Sequence, residues 1–238
     1  MITSMMFLLE VGSVAIAVAK KYPDVNIYMN DLNENIFCFW KIISENKPEE
    51  IFQLKSLIEK IPTIELFIYN KNTKPITNIE KAYYAIFFNR CTFSGIETAG
   101  PIGGLKQESK WKVNCRYNLK KIHKSIDDLV KLFSGRLTCT NYDFSLFLEK
   151  YNNGMFYLDP PYYKQGKNLY SCFMKPEEHL LLKNKLSSIN NWLLSYDNCE
   201  EVRFMYPDQN IEYIDAKYCI DGIKENWKMC KEILVKNN

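Results

Sequence analysis

The string FYLDPPYY, Phe156 to Tyr163, constrains this chain more than any other segment. Met155–Leu158 reads as a short apolar strand. Pro160 and Pro161 must end it, because proline has no N–H for a sheet ladder and a fixed φ. The strand therefore finishes on an acidic side chain, a rigid turn and an aromatic ring. In open α/β sheets, the carboxyl ends of strands are where ligands collect.

The flanking pattern fits such a sheet. Met5–Glu10 is a short apolar run, Gly12 punctuates it, and Ser13–Lys21 has helical composition. Asn26–Asn30 reads as the next strand and Asn33–Ser44 as the next helix, which together make a βαβ unit and imply a parallel sheet. Further strands are expected at Arg136–Thr140, Trp192–Ser195, Ile211–Asp215 and Glu232–Lys236. A helix over PEEHLLLKNKLSSIN starts on Pro176 with Glu177 and Glu178 beside it. Residues 47–135 break the rhythm: Ile51–Ile61 is helical, Asn70–Asn78 is a polar loop, and the Gly/Pro cluster Gly95–Gly104 is irregular. This stretch reads as an inserted domain.

With 238 residues and 47% apolar composition the chain can bury a substantial core. Its 31 Lys and Arg against 28 Asp and Glu leave only +3, so attraction to a polyanion has to come from where charges sit. They concentrate between Gly103 and Lys124, where Lys106, Lys110, Lys112, Arg116, Lys120, Lys121 and Lys124 face the single acid Glu108. Phe93, Trp111 and Tyr117 interleave them as stacking surfaces for a nucleic acid; a solvated helix face is the alternative for such a run. The eight cysteines form no C-x-x-C pair and only His123 and His179 accompany them, so no metal site is expected. They read as reduced thiols of a cytoplasmic protein, several of them core residues. Met5–Ala19 is apolar, but it lacks a basic beginning, carries Glu10 and is too short to span a membrane.

An aromatic amino group is a poor nucleophile because its lone pair is delocalised into the ring. If the Asp159 carboxylate and the Pro160 carbonyl both accept hydrogen bonds from such a group, the nitrogen is drawn toward tetrahedral geometry and its lone pair is freed. Pro161 keeps the turn rigid and Tyr162 offers a face for base stacking. The plainer alternative is a rigid turn with tyrosines at the rim of the core.

DPPY after a strand resembles the catalytic motif of amino-group DNA methyltransferases, specifically the Dam-type (D12 class) adenine enzymes that use S-adenosylmethionine. FFNRCTFSGIETAGPIGGLKQ, Phe87–Gln107, is similar to the family's NR-x-x-F-x-G block. LTCTNYDF, Leu137–Phe144, resembles its strand ending in Asp-Phe, and WLLSYDN and KEILVKN resemble its later strands. The resemblance runs in order from about Leu8 to the C-terminus. It implies an α/β, doubly wound Rossmann-like methyltransferase sheet, residues 1–46 and 136–238, interrupted by a mainly helical target-recognition domain, residues 47–135. Asp159, Pro160, Pro161 and Tyr162 would be catalytic. Glu10, Gly12, Asp31, Asp143 and Asp159 would hold S-adenosylmethionine. Asn89, Arg90, Phe93, Lys106, Lys110, Lys112 and Arg116 would contact double-stranded DNA. Gly12 to Asp31 is nineteen residues, near the spacing at which an acid after the second strand reaches a ribose. Asp31 and Asp143 have an alternative role as helix caps.

The implied reaction is direct transfer to the amino group of a flipped-out adenine, with no covalent intermediate and so no cysteine nucleophile. The polar segment Lys164–Leu169 would order around the base, with Tyr170 and Phe173 beneath it or in the core. The expected assembly is a monomer, and the pattern fits a phage-borne or solitary enzyme as well as one with a cognate restriction endonuclease. One departure stands out. The family pattern E-P-F-x-G-G-G-S-V is here LLEVGSV, Leu8–Val14, with one glycine where three stand, so a late start, a decaying gene or a subgroup with a shorter loop all fit. Two alternatives follow: an amino-group methyltransferase acting on RNA, which would more commonly carry N-P-P-Y than Asp159, and a remnant that only binds DNA.

Overall fold

The computed structural model describes residues 12–151, 153–164, 173–207, 209–219 and 227–237. The expected first strand Met5–Glu10, including Glu10, and the segment after Lys164, including Tyr170, lie outside them. Two compact units divide the chain, Met1–Leu32 with Thr140–Asn238, and Asn33–Cys139; the helix Glu34–Glu45 falls in the second.

In the first unit α1 spans Ser13–Lys21 and β1 Ile27–Asn30, as the sequence pattern predicts. Just past the middle of the chain, β2 (Leu137–Thr140) enters this unit at Thr140, and β1 and β2 form a two-stranded sheet. Then come α7 (Phe144–Lys150), β3 (Phe156–Leu158), α8 (Pro176–Leu186), β4 (Trp192–Asp197), α9 (Glu200–Met205), β5 (Asn210–Cys219) and β6 (Trp227–Lys236). The four later strands form a second sheet in the order β3-β4-β6-β5.

β3 and β4 are parallel, with Phe156 opposite Trp192 and Leu158 opposite Leu194; α8 connects them, so β3-α8-β4 is a βαβ unit. The sheet is mixed rather than all parallel, because β6 runs antiparallel to both β4 and β5. The chain returns from β5 to β6 across residues 220–226, and a link that short cannot make the crossover a parallel pair requires. Both strands are also longer than their apolar stretches Ile211–Asp215 and Glu232–Lys236 suggest. Phe147, Phe156, Leu158, Leu182, Leu194, Tyr196, Ile233 and Val235 form one buried cluster, against which Tyr28, Tyr142, Phe144 and Tyr163 pack.

The second unit is helical: α2 (Glu34–Glu45), α3 (Pro48–Ile58), α4 (Ile64–Asn72), α5 (Asn78–Cys91) and α6 (Leu119–Phe133), with a short 3₁₀ turn at Phe93–Gly95. α5 is the central helix and buries Ala82, Tyr83, Tyr84, Phe87, Phe88 and Cys91. Its start is fixed by a capping box in which Thr77 Oγ1 accepts from Glu80 N at 3.1 Å and Glu80 Oε2 accepts from Thr77 N at 2.9 Å. Edge-on ring contacts tie it to its neighbours, as between Phe67 and Phe88 with centroids 5.8 Å apart. The expected polar loop Asn70–Asn78 is helical at both ends: Asn70–Asn72 finish α4, which Thr63 caps, and Asn78 opens α5. Cys38, Cys91 and Cys199 are buried, as expected of core thiols. Among the described residues no helix is long and apolar enough to cross a membrane.

Candidate active site and basic surface

The ladder between β3 and β4 ends where Leu158 meets Leu194, yet β4 continues through Ser195 and Tyr196 to Asp197. The early stop of β3 follows from Pro160 and Pro161, both buried. The overhang of β4 therefore flanks the turn Asp159–Lys164, and its last residue holds that turn. Asp197 Oδ1 accepts from Tyr163 N at 2.9 Å and Oδ2 from Lys164 N at 3.1 Å. One residue earlier, the Tyr162 hydroxyl donates to Glu232 Oε1 on β6, and Glu232 lies directly across the ladder from Asp197. Asp159 itself is half-buried at the strand end.

Beneath the turn, the Tyr163 ring lies 4.9 Å from the His179 ring, and His179 Nδ1 is 2.5 Å from the Tyr196 hydroxyl. Burial pushes the His179 pKa down and the Tyr196 pKa well up. Both shifts favour the uncharged forms, and the two groups share one hydrogen bond between Nδ1 and the hydroxyl. A buried polar pair satisfied in this way costs little and fixes both rings.

A second cluster forms at the carboxyl ends of β1 and β2. Asn30, 5% exposed, bonds through both ends of its amide: Oδ1 accepts from Thr140 Oγ1 at 2.8 Å and Tyr142 N at 2.9 Å, while Nδ2 donates to Tyr142 O at 2.9 Å. Asp31 N donates to Thr140 O at 3.2 Å, and Asn141 Nδ2 donates to Asp31 O at 2.6 Å. These bonds bring Asp31 and the Tyr142–Asp143 segment to one edge. Asp31 is buried, and it is not the cap of α2, because Asn33 Oδ1 accepts from Asn35 N and Ile36 N. Asp143 does cap α7, with Oδ1 accepting from Ser145 N at 2.8 Å, and it remains exposed. Gly12 stands at the start of α1 with φ 60, a left-handed conformation suited to glycine, and among the described residues no side chain caps that helix. Tyr142 and Phe144 pack on the same apolar cluster as β3 and Tyr163, so one core supports both edges.

In the helical unit, α5 ends on Asn89, Arg90 and Cys91, and the chain turns back on itself, with Phe93 N donating to Gly100 O at 2.9 Å and Ile102 N to Cys91 O at 2.8 Å. Glu97 anchors this hairpin, accepting from Asn33 Nδ2 at 2.6 Å and Asn35 Nδ2 at 2.8 Å. Gln107 organises the following loop through Ile102 O, Gly104 O and Val113 N. Gly103 is obligatory there, since a Cβ would come within 2.4 Å of Trp111 O.

Of the sequence-predicted contact residues, Arg90, Phe93, Lys106, Lys110, Lys112 and Arg116 are exposed and Asn89 is half-buried. Lys110 lies over the exposed Trp111 ring at 5.5 Å. Arg116 donates to Asn89 O and Lys112 to Gln107 O, so these two also brace the surface. Although Arg116 is exposed as a residue, partial desolvation of its guanidinium, then the neighbouring Arg90, lowers its pKa. Lys124 faces Asp128 at 2.8 Å, which trims the basic run. Tyr117 is not a stacking surface: it is 8% exposed, with its hydroxyl donating to Ile58 O at 3.1 Å. Sequence reasoning missed Asn30, Asp197, Glu232 and Glu97 as organising residues. Asp197 carries a signal in hindsight, as an acid closing an apolar strand in WLLSYDN just as Asp159 closes FYL.

Residues 11–220 match the family model of the D12 class N6 adenine-specific DNA methyltransferases. The type II methyltransferase M.MjaIII of Methanocaldococcus jannaschii is 25% identical over 170 residues, covering 63% of this chain and 55% of that protein. The chain spans just over half the length of that relative.

Proposed function

Because this chain belongs to the D12 class N6 adenine-specific DNA methyltransferases, we propose that it transfers a methyl group from S-adenosylmethionine to the exocyclic amino group of an adenine flipped out of duplex DNA. The observation that carries this reading is Asp159-Pro160-Pro161-Tyr162 at the carboxyl end of β3, beside the parallel strand β4. The Asp159 carboxylate and the Pro160 carbonyl accept hydrogen bonds from the amino group and sharpen its lone pair. The Tyr162 ring stacks on the base while its hydroxyl stays on Glu232.

Gly12, Asp31 and Asp143 fit the donor: a left-handed glycine at a helix start and two carboxylates at one strand edge suit the backbone approach and the polar groups of a nucleoside. When bound, S-adenosylmethionine supplies a methyl group on a sulfonium that needs no further activation. The protein's task is then positioning and polarisation. In this reading the first unit is the core of a doubly wound methyltransferase domain. The helical unit reads DNA through Asn89, Arg90, Phe93, Lys106, Lys110, Lys112 and Arg116. In the same reading the protein acts as a monomer, either alone or beside a cognate restriction endonuclease.

Labelled methyl transfer to duplex DNA and to RNA, with wild type and Asp159→Ala, tests the proposal. Wild type should label duplex DNA; Asp159→Ala should lose transfer by at least about a thousandfold, as for removal of a polarising contact, while still shifting DNA in a gel. Near-normal turnover in the variant, or label only in RNA, refutes it.

A further inference from the structure

We infer that Asp197 is a positioning residue that fixes the exit of the Asp159–Lys164 turn and thereby the angle at which Asp159 and the Pro160 carbonyl meet the amino group; this rests on the proposed methyl transfer. The two prolines stiffen the turn from its start but leave its exit to tertiary contacts. Asp197 supplies them through both carboxylate oxygens, at 2.9 Å from Tyr163 N and 3.1 Å from Lys164 N. Its place is built in by the different lengths of β3 and β4, because the last residue of β4 stands past the end of the shared ladder.

Three consecutive residues are held from one row of the sheet. Tyr162 is held by Glu232, and Tyr163 and Lys164 by Asp197, and Glu232 and Asp197 are register partners on β6 and β4. The Tyr163 ring rests on His179, which is bonded to Tyr196, the residue before Asp197. A shift of β4 or β6 is thus transmitted to the turn, whereas the Lys164 side chain is held separately by Glu201 at 3.2 Å. Misplacing a reacting group by about 1 Å costs on the order of a hundredfold in rate.

The test compares Asp197→Ala, Asp197→Asn and the control Glu201→Gln by steady-state methyl transfer and by hydrogen exchange of the amides of residues 159–164. Asp197→Ala should lower kcat about a hundredfold with the KM for S-adenosylmethionine within about twofold. Asp197→Asn, which keeps one acceptor, should fall between, and Glu201→Gln should stay at wild-type kcat, because it removes only an exposed ion pair. Exchange at Tyr163 and Lys164 should rise in the Asp197 variants while the rest of the first unit keeps its protection.

Wild-type kcat in Asp197→Ala overturns the inference and leaves the proposed function standing. Loss of protection throughout the first unit in both Asp197 variants makes the residue one of general stability and also overturns it. Failure of wild type to transfer methyl to DNA falls instead on the proposed function.

Discussion

His179 is 1% exposed, with Tyr163 and Tyr196 against its ring and Asp197, Glu178 and the Met174 backbone as its polar surroundings. Burial outweighs the two carboxylates and holds its pKa below the ordinary value. The sign of the linkage follows: the unfolded chain takes up a proton near pH 6.5 and the folded one only at lower pH, so the stability contribution is complete above about 6.5 and is lost as pH falls through that value. Denaturant titrations of wild type should show stability declining as pH drops from about 7 toward the lowered value, and His179→Gln should remove that part of the slope. Equal slopes in the two proteins would mean that His179 is not held neutral. Asn30 belongs to the same scale. Its amide bonds Thr140 and Tyr142, and no sequence pattern marks a strand-terminal asparagine for that role, since these partners lie more than a hundred positions away.

Among the elements, the loop Pro101–Arg116 presents Lys106 and Lys110 to solvent on a frame set by Gln107 and Gly103. If they neutralise DNA phosphates, replacing both with Ala should flatten the slope of log affinity against log salt by about 1.8, near 0.9 per contact; an unchanged slope removes them from the interface. What the sequence made legible was local. Ser13–Lys21, the strand Ile27–Asn30 and the turn at Pro160 follow from apolar period, turn residues and proline chemistry. α5 was less legible because it is buried on most sides and so carries little amphipathic period. Asn70–Asn72 are polar yet helical, because Phe67 anchors α4 in the core and only the stretch around Pro75 interrupts the helices. The clamp by Asp197 was illegible for a different reason: it depends on the register of β3 against β4, which two separate strands decide together.

For the whole molecule, each unit has a core of its own, one around β3, β4 and β6 and one around α5. Under the proposed function, the first unit would hold donor and base and the second would read the duplex. The order of motifs along the chain made the family legible, and the family match over residues 11–220 agrees with it. The geometry adds the way the turn after β3 is held. The central claim is that this turn activates an adenine amino group, and identification of the modified nucleoside tests it most directly. Duplex DNA incubated with the protein and labelled S-adenosylmethionine, then digested and resolved by mass spectrometry, should carry the label on N6 of adenine. Label on cytosine, on another atom of adenine, or on no base at all would contradict the account.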